Sequence, residues 1–203
     1  MAVKIFDVEQ NSAEWLALRS GVPTASNFSD VIAKGQGKMR RALLRRLAAE
    51  IVTGEPLETF RSPAMDRGHE QEDAARRAYE LITDTETTRV GFVRNGRVGC
   101  SPDSLIAGAG LLEIKTQRAD LLIDTWEAGK FPSEHVAQCQ GALWVCERLW
   151  IDIAVYAPRM PLFIRRAYRD EVYIANLARE VALFLEDLDA TVEAVRRFGR
   201  EAA

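Results

Sequence analysis

The alternation of apolar and polar positions divides the chain into stretches of helical and of strand period. Asn11 followed by Glu14 predicts a capping box opening a short helix through Trp15 and Leu18, stopped at Gly21. Ser26 predicts the cap of a second short helix, NFSDVIAK, and a third runs from about Lys38 to Thr53, with Gly54 as terminator. Ser62-Pro63 supplies a cap and a first-turn proline for a longer helix reaching roughly Ile82. Three strand-like runs follow, TTRVGFVR, RVGCSPDSLI and GLLEIKT, separated by Asn95-Gly96 and by the GAG at 108–110, which predicts a β-meander. ADLLIDTWEAG and SEHVAQCQGALWVCE then read as helices, WIDIAVYA and LFIRRAY as two more strands, and an amphipathic helix from Asp170 to about Phe198 closes the chain. That order predicts an α/β or α+β sheet flanked by helices. No repeat, low-complexity tract or Pro/Gly-rich linker divides it, so a single domain over 1–203 is expected, with a helical segment at about 11–54 packed on its core.

Composition narrows the picture. At 203 residues and 47% hydrophobic, the chain can bury a sizeable core. It has no apolar run of about 18 residues to span a bilayer, and MAVKIFDVEQ lacks the apolar centre of a signal peptide, so a soluble, cytoplasmic protein with no membrane partner is expected. Three cysteines without a C-x-x-C spacing support neither a disulfide framework nor a zinc or iron–sulfur site. A net charge of −3 argues against a surface coated with cations for non-specific nucleic-acid binding. Residues 34–46 nevertheless carry Lys34, Lys38, Arg40, Arg41, Arg45 and Arg46 and no acid, which makes either a phosphate-binding block or a solvated helix face.

The candidate chemistry centres on GLLEIKT. In a strand, Leu112, Ile114 and Thr116 face one way, while Glu113 and Lys115 share the opposite, polar face. The GAG turn brings Asp103 back beside Glu113. Two adjacent carboxylates repel unless something positive sits between them, and hard oxygen ligands suit Mg²⁺. Near such a cation the Lys115 pKa would fall, letting it orient or help deprotonate a water, an arrangement suited to phosphodiester hydrolysis. The plainer alternative is an exposed hairpin with a cross-strand ion pair. On the helix from Pro63, Met65, Gly68, Glu72, Ala75, Tyr79 and Ile82 form one face, and Glu72 interrupts it, as a metal ligand, a border residue or a partner for Arg76. Gln140 falls on the inward side of its helix, where a buried amide either positions a water or phosphate or bonds a neighbouring backbone. His69 and His135 have no third ligand at metal spacing, and no phosphate loop, dinucleotide fingerprint or serine-hydrolase elbow occurs in a supportive context.

Asp103, nine intervening residues and then Glu113-Ile114-Lys115 match the signature of the PD-(D/E)XK nuclease superfamily, with Pro102 as its leading proline. Together with GVPTAS, GHEQEDAARRAYE, AQCQGALWV and YAPRM in that order, the chain resembles lambda exonuclease and the YqaJ-type viral recombinase nucleases from about Trp15 to Phe198. The resemblance implies a restriction-endonuclease-like α/β fold, a central mixed β-sheet flanked by helices. It implies an exonuclease dependent on one or two Mg²⁺ ions, with Mn²⁺ as a substitute, that digests one strand of linear duplex DNA from its 5′ end. Products would be mononucleotides and a 3′ overhang used by a single-strand annealing protein. It also implies a ring-shaped homotrimer threaded by DNA, with the basic block lining the channel, and a phage or prophage origin in a bacterial cytoplasm. Carried over by residue, Asp103, Glu113, the Ile114 carbonyl and Glu72 would hold metal, Lys115 would assist the attacking water and Gln140 would position it. Arg19, Ser26 and Ser101 would hold a terminal 5′-phosphate, and Met65 would separate the strands or else fill the core. Ser104 stands where glycine is usual after the aspartate, and Thr116-Gln117 where Cys-Pro is often seen. Alternatives are a structure-specific or nicking endonuclease of this fold, a Cas4-like nuclease, which the lack of four cluster cysteines disfavours, and a non-catalytic DNA-end-binding or recombinase-loading protein.

Overall fold

The computed structural model describes residues 2–33, 37–57 and 63–201, and the side chains of all of these except 63–69 and 201. Lys34 and Ser62, and the side chains of Met65 and His69, therefore lie outside the described residues.

The first helix, α1 (Ala13–Arg19), is capped by Ser12, whose hydroxyl accepts from the Trp15 N–H at 3.1 Å. Asn11, the expected cap, instead takes a left-handed conformation with φ 69°. A 3₁₀ turn, Ala25–Asn27, leads into α2 (Phe28–Ile32), and here the reciprocal cap is Thr24 with Asn27 rather than Ser26. Helix α3 (Lys38–Thr53) ends at Gly54 with φ 74°, as the sequence predicts, and α4 (Pro63–Thr83) has the expected extent. Ile82 is 61% exposed, so the inward stripe of α4 stops at Tyr79.

The meander divides into two sheets. An unforeseen N-terminal strand, β1 (Lys4–Phe6), pairs with β3 (Phe92–Asn95), which turns through Asn95-Gly96 into β4 (Val98–Cys100). The second sheet runs β2 (Thr87–Thr88), β5 (Ser104–Ile106), β6 (Gly110–Thr116), β7 (Trp150–Tyr156), β8 (Phe163–Tyr168), with β6 and β7 parallel and the other pairs antiparallel. Each long run breaks for a local reason. At Gly91 the Val8 backbone approaches so closely that a Cβ would lie 2.1 Å from its carbonyl oxygen, and Pro102 has no N–H to give a ladder. The β6–β7 crossover is made by α5 (Ala119–Ala128), a 3₁₀ turn at Ser133–His135 and α6 (Val136–Cys146), and α7 (Glu171–Glu201) closes the fold.

Being central, β6 is covered on both sides. Leu111 belongs to the larger core under α3, α6 and α7, whereas Leu112 and Ile114 join Ala75 and Tyr79 of α4 in a second core. The Glu113 face is thus roofed by α6 rather than open to water, unlike the exposed hairpin surface that strand periodicity also allows. Among the described residues no helix is long and apolar enough to cross a membrane.

Candidate active site

The β5–β6 hairpin sets the register. Ser104 pairs with Leu112, which places Asp103, one residue earlier, level with Glu113. Asp103 turns its Oδ2 onto the Ile114 N–H. Glu113, buried, accepts from Lys115 Nζ at 2.8 Å and from Gln138 Nε2 at 2.5 Å, and Lys115 Nζ also donates to Gln138 Oε1 at 3.1 Å. Three side chains from a strand and a helix therefore close a ring of hydrogen bonds beside Asp103.

Glu72 comes to the same place from α4. Arg76, one turn on, donates to Glu72 Oε1, to the Asp103 carbonyl at 2.6 Å and to Ser104 Oγ. Glu72 and Asp103 share the wall of a cavity of about 340 Å³ that is also lined by residues 7–10 and Arg89. Burial raises the Asp103 pKa well above the usual carboxylate range, the charges of Glu113 and Glu72 raise it further, and the Ile114 N–H and Lys115 offset this in part. Burial acts to lower the Lys115 pKa, but the charge and hydrogen bond of Glu113 and the charge of Asp103 outweigh it, so the ammonium is favoured. His135 faces this cluster and has its pKa lowered by burial and then by Lys115.

These donors fit a hard divalent cation in kind. Asp103, Glu113 and Glu72 supply carboxylate oxygens, the Ile114 carbonyl directly follows Glu113 in the chain, and the Asp103 pKa, raised first by burial, is raised further by the like charges of Glu113 and Glu72. They do not form a ready coordination shell: among the described residues no three acid, histidine or cysteine side chains stand at metal-holding distance. Glu113 is turned to Lys115 and Gln138, and Glu72 to Arg76.

Gln140 is not brought to this cluster. Its Nε2 donates to the Tyr168 carbonyl and its Oε1 accepts from the Asp170 N–H, both at 2.9 Å, so it ties α6 to the start of α7. Gln138 occupies the place expected of it. Two residues are about 200° apart around a helix, and α6 is buried nearly all round, so hydrophobic pattern gives no single inward face by which to choose.

A second polar pocket lies across the β4–β5 connection. Arg19 Nη1 donates to Ser101 Oγ at 3.1 Å and Nη2 to Thr24 Oγ1 at 3.4 Å, and Thr24 and Ser26 share a hydroxyl contact of 3.1 Å. Trp15 Nε1 donates to Ser101 Oγ at 2.9 Å, and the Arg19 guanidinium lies 4.1 Å from the Trp15 ring centroid. Arg19, Thr24, Ser26 and Arg46 line a cavity of about 200 Å³ that also holds buried Glu50, bonded to Arg46 and the Gly21 N–H. The Arg19 pKa is lowered to about 10, chiefly by burial and in part by Arg46, against the opposing influence of Cys100 and Glu50. The resemblance groups Arg19, Ser26 and Ser101, and it does not include Thr24 or Trp15, the latter reading from sequence as a core aromatic. Of the basic block, Arg40 is paired with Asp187 on α7 and Arg46 with Glu50, while Arg41 and Arg45 are exposed.

The computed chain superposes on an alkaline exonuclease, LHK-Exo, from Laribacter hongkongensis, with TM-score 0.87 and 33% identity, covering 95% of this chain and 100% of that one. LHK-Exo in complex with dAMP gives TM-score 0.88 at the same 33% identity and the same 95% and 100% coverage. A phage-related exonuclease from Haemophilus somnus 129PT, 12% identical, with 86% and 96% of the two chains covered, matches at TM-score 0.65 and shares the fold. No curated protein matches the chain. The model of the YqaJ-like viral recombinase domain matches residues 14–148, a span that includes Arg19, Glu72, Asp103, Glu113, Lys115 and Gln138, and this protein belongs to that family.

Proposed function

We propose that this protein is a Mg²⁺-dependent exonuclease that digests one strand of linear duplex DNA from its 5′ end, releasing mononucleotides and leaving 3′ overhangs for recombination by strand annealing. Membership of the recombinase family and the likeness to an alkaline exonuclease support the coarser reading, a DNA exonuclease. The finer reading rests on one observation: the arginine–hydroxyl pocket and the carboxylate cluster share the connection Ser101-Pro102-Asp103. Two residue steps span at most about 7 Å. A pocket suited to a terminal phosphate, this near a hydrolytic centre, favours cutting at an end over cutting within a duplex. The relative's complex with dAMP, a 5′-mononucleotide, is of the product class this reading requires.

Arg19 and the hydroxyls of Ser26 and Ser101 bind the terminal phosphate, the guanidinium supplying planar, charge-assisted donors. A divalent cation, held by Asp103, Glu113 and the Ile114 carbonyl with Glu72 from α4, would polarise the scissile phosphate and lower the pKa of its water. Lys115 is kept beside Glu113 by Gln138, where its ammonium orients the attacking water and balances the charge that develops on the phosphate. Gln140 has no part in this reading. On the same reading the chain acts as a homotrimeric ring in a bacterial cytoplasm, accepts Mn²⁺ in place of Mg²⁺ and passes its overhang to an annealing protein. A ring supplies processivity by topology, which accommodates a net charge of −3.

The test uses linear and covalently closed duplex DNA, 5′-phosphorylated or not, with Mg²⁺ or a chelator. Mononucleotides from linear, phosphorylated ends in Mg²⁺ alone are expected. Nicking of closed circles would replace this reading with an endonuclease, and binding without products would replace it with an end-binding protein.

A further inference from the structure

Helix α4 delivers Glu72, yet most of its face against the sheet is apolar. Ala75 packs among Ile106, Leu112, Ile114 and Ala154, contacts without direction that let a helix slide or roll at small cost. Tyr79 supplies direction. Fully buried, it donates from its hydroxyl to Asp152 Oδ2 at 2.7 Å. Asp152, 2% exposed on β7, also accepts two bonds from Arg166, Nε to Oδ1 and Nη2 to Oδ2, both 2.8 Å. Arg166 stands directly opposite on β8, its guanidinium 3.6 Å from the Trp150 ring centroid. Nothing in the hydrolytic reading uses this buried acid and phenol or the exposed guanidinium that pairs with them.

Tyr79 lies seven residues, two turns, beyond Glu72, and Arg76 lies between them. Arg76, 6% exposed, grips the Asp103 carbonyl and Ser104 Oγ from the same helix face. We propose that Tyr79, Asp152 and Arg166 form a positioning lock that, with Arg76, fixes the register of α4 on the sheet and so sets Glu72 against Asp103 for a divalent cation. A small cation demands near-ideal placement of its oxygen ligands, so a helix free to shift by a fraction of a turn would bind it weakly. Directional bonds to a buried phenol and a buried carboxylate are the kind of contact that selects one packing among several of similar apolar burial. The proposal rests on the assignment of Asp103 and Glu72 as cation ligands.

The test is Mn²⁺ titration of the cation-free full chain by calorimetry, which needs no DNA and no turnover. Tyr79→Phe keeps the ring and leaves Asp152 its Arg166 partner, so the variant folds. About ten-fold weaker Mn²⁺ binding is expected, the scale on which outer-shell partners act, and Arg76→Lys weakens it similarly. Leu188→Ala, which hollows the other core under α7, lowers Tm without moving Mn²⁺ affinity, separating positioning from general loss of stability. Unchanged Mn²⁺ affinity in Tyr79→Phe, or an equal loss in Leu188→Ala, overturns the lock alone. A wild-type chain whose Mn²⁺ binding is absent, or survives Asp103→Asn, overturns the cation site and the lock with it.

Discussion

The two polar pockets are opposites built on one connection. Around Asp103 the protein buries a carboxylate beside two others, so that burial first and the charges of Glu113 and Glu72 next raise the Asp103 pKa. Around Arg19 it buries a guanidinium among hydroxyls and near a second cation, which lowers the Arg19 pKa to about 10. By the direction of these shifts each pocket disfavours its own charge, although the second already holds the buried carboxylate of Glu50, bonded to Arg46. Ser101 serves one and Asp103 the other, two residues apart. On the proposed reading, stability is given up at both places in complementary senses, a cation being wanted at one and an anion at the other.

The largest expected effect breaks the hydrolytic pocket alone. Lys115→Ala should lower single-turnover cleavage by about 10³-fold, as loss of a positioned acid–base or charge-stabilising group does, while gel-shift binding to duplex ends stays near wild type. Equal loss of binding would mean the two pockets are not separable. Next, Arg19→Ala should cost about 2 kcal/mol, roughly thirty-fold in kcat/KM, on 5′-phosphorylated ends and little on 5′-hydroxyl ends. A uniform loss on both would remove Arg19 from end recognition.

The glutamine pair sharpens the boundary of the first pocket. Gln138→Ala should lower kcat about ten-fold with Tm little changed. Gln140→Ala should leave kcat and cost about 1–3 kcal/mol of stability, because the Tyr168 carbonyl and Asp170 N–H lose their buried partner. The reverse assignment would restore the choice the resemblance makes.

That choice shows where sequence reasoning runs out. The strand GLLEIKT, the GAG turn and the aspartate before it fix Asp103 and Glu113 through local register alone, so they are legible. Glu72 is legible as an acid on an apolar helix face. Gln138 against Gln140 is not, because a helix buried all round carries no amphipathic signal. Nor is the split of the meander at Gly91, which depends on the distant Val8 backbone, nor the three-residue β1, too short for a period to show. Arg76 reads from sequence only as a partner for Glu72, and Tyr79 only as part of an apolar helix face, until Ser104 and Asp152 are seen beside them.

The smallest effect concerns stability. A raised folded-state pKa at Asp103 means the native state holds more protons than the unfolded chain above the ordinary aspartate pKa. Its contribution is therefore full below that value and is lost as pH rises through the folded pKa. In chelator near neutral pH, Asp103→Asn should raise Tm by a few degrees, at roughly 2–4 °C per kcal/mol for a chain of this size, and flatten the fall of Tm with pH, read by differential scanning calorimetry. A lower Tm would deny that the carboxylates repel. Added Mg²⁺ should raise the wild-type Tm and leave that of the variant unmoved.

The most direct test of two complementary pockets is anomalous diffraction from crystals of the protein grown with Mn²⁺ and a 5′-phosphorylated duplex. The prediction is a Mn²⁺ peak bound by Asp103 and Glu113, with the terminal phosphate on Arg19. A peak that avoids those carboxylates, or a terminal phosphate lodged away from Arg19, would contradict it.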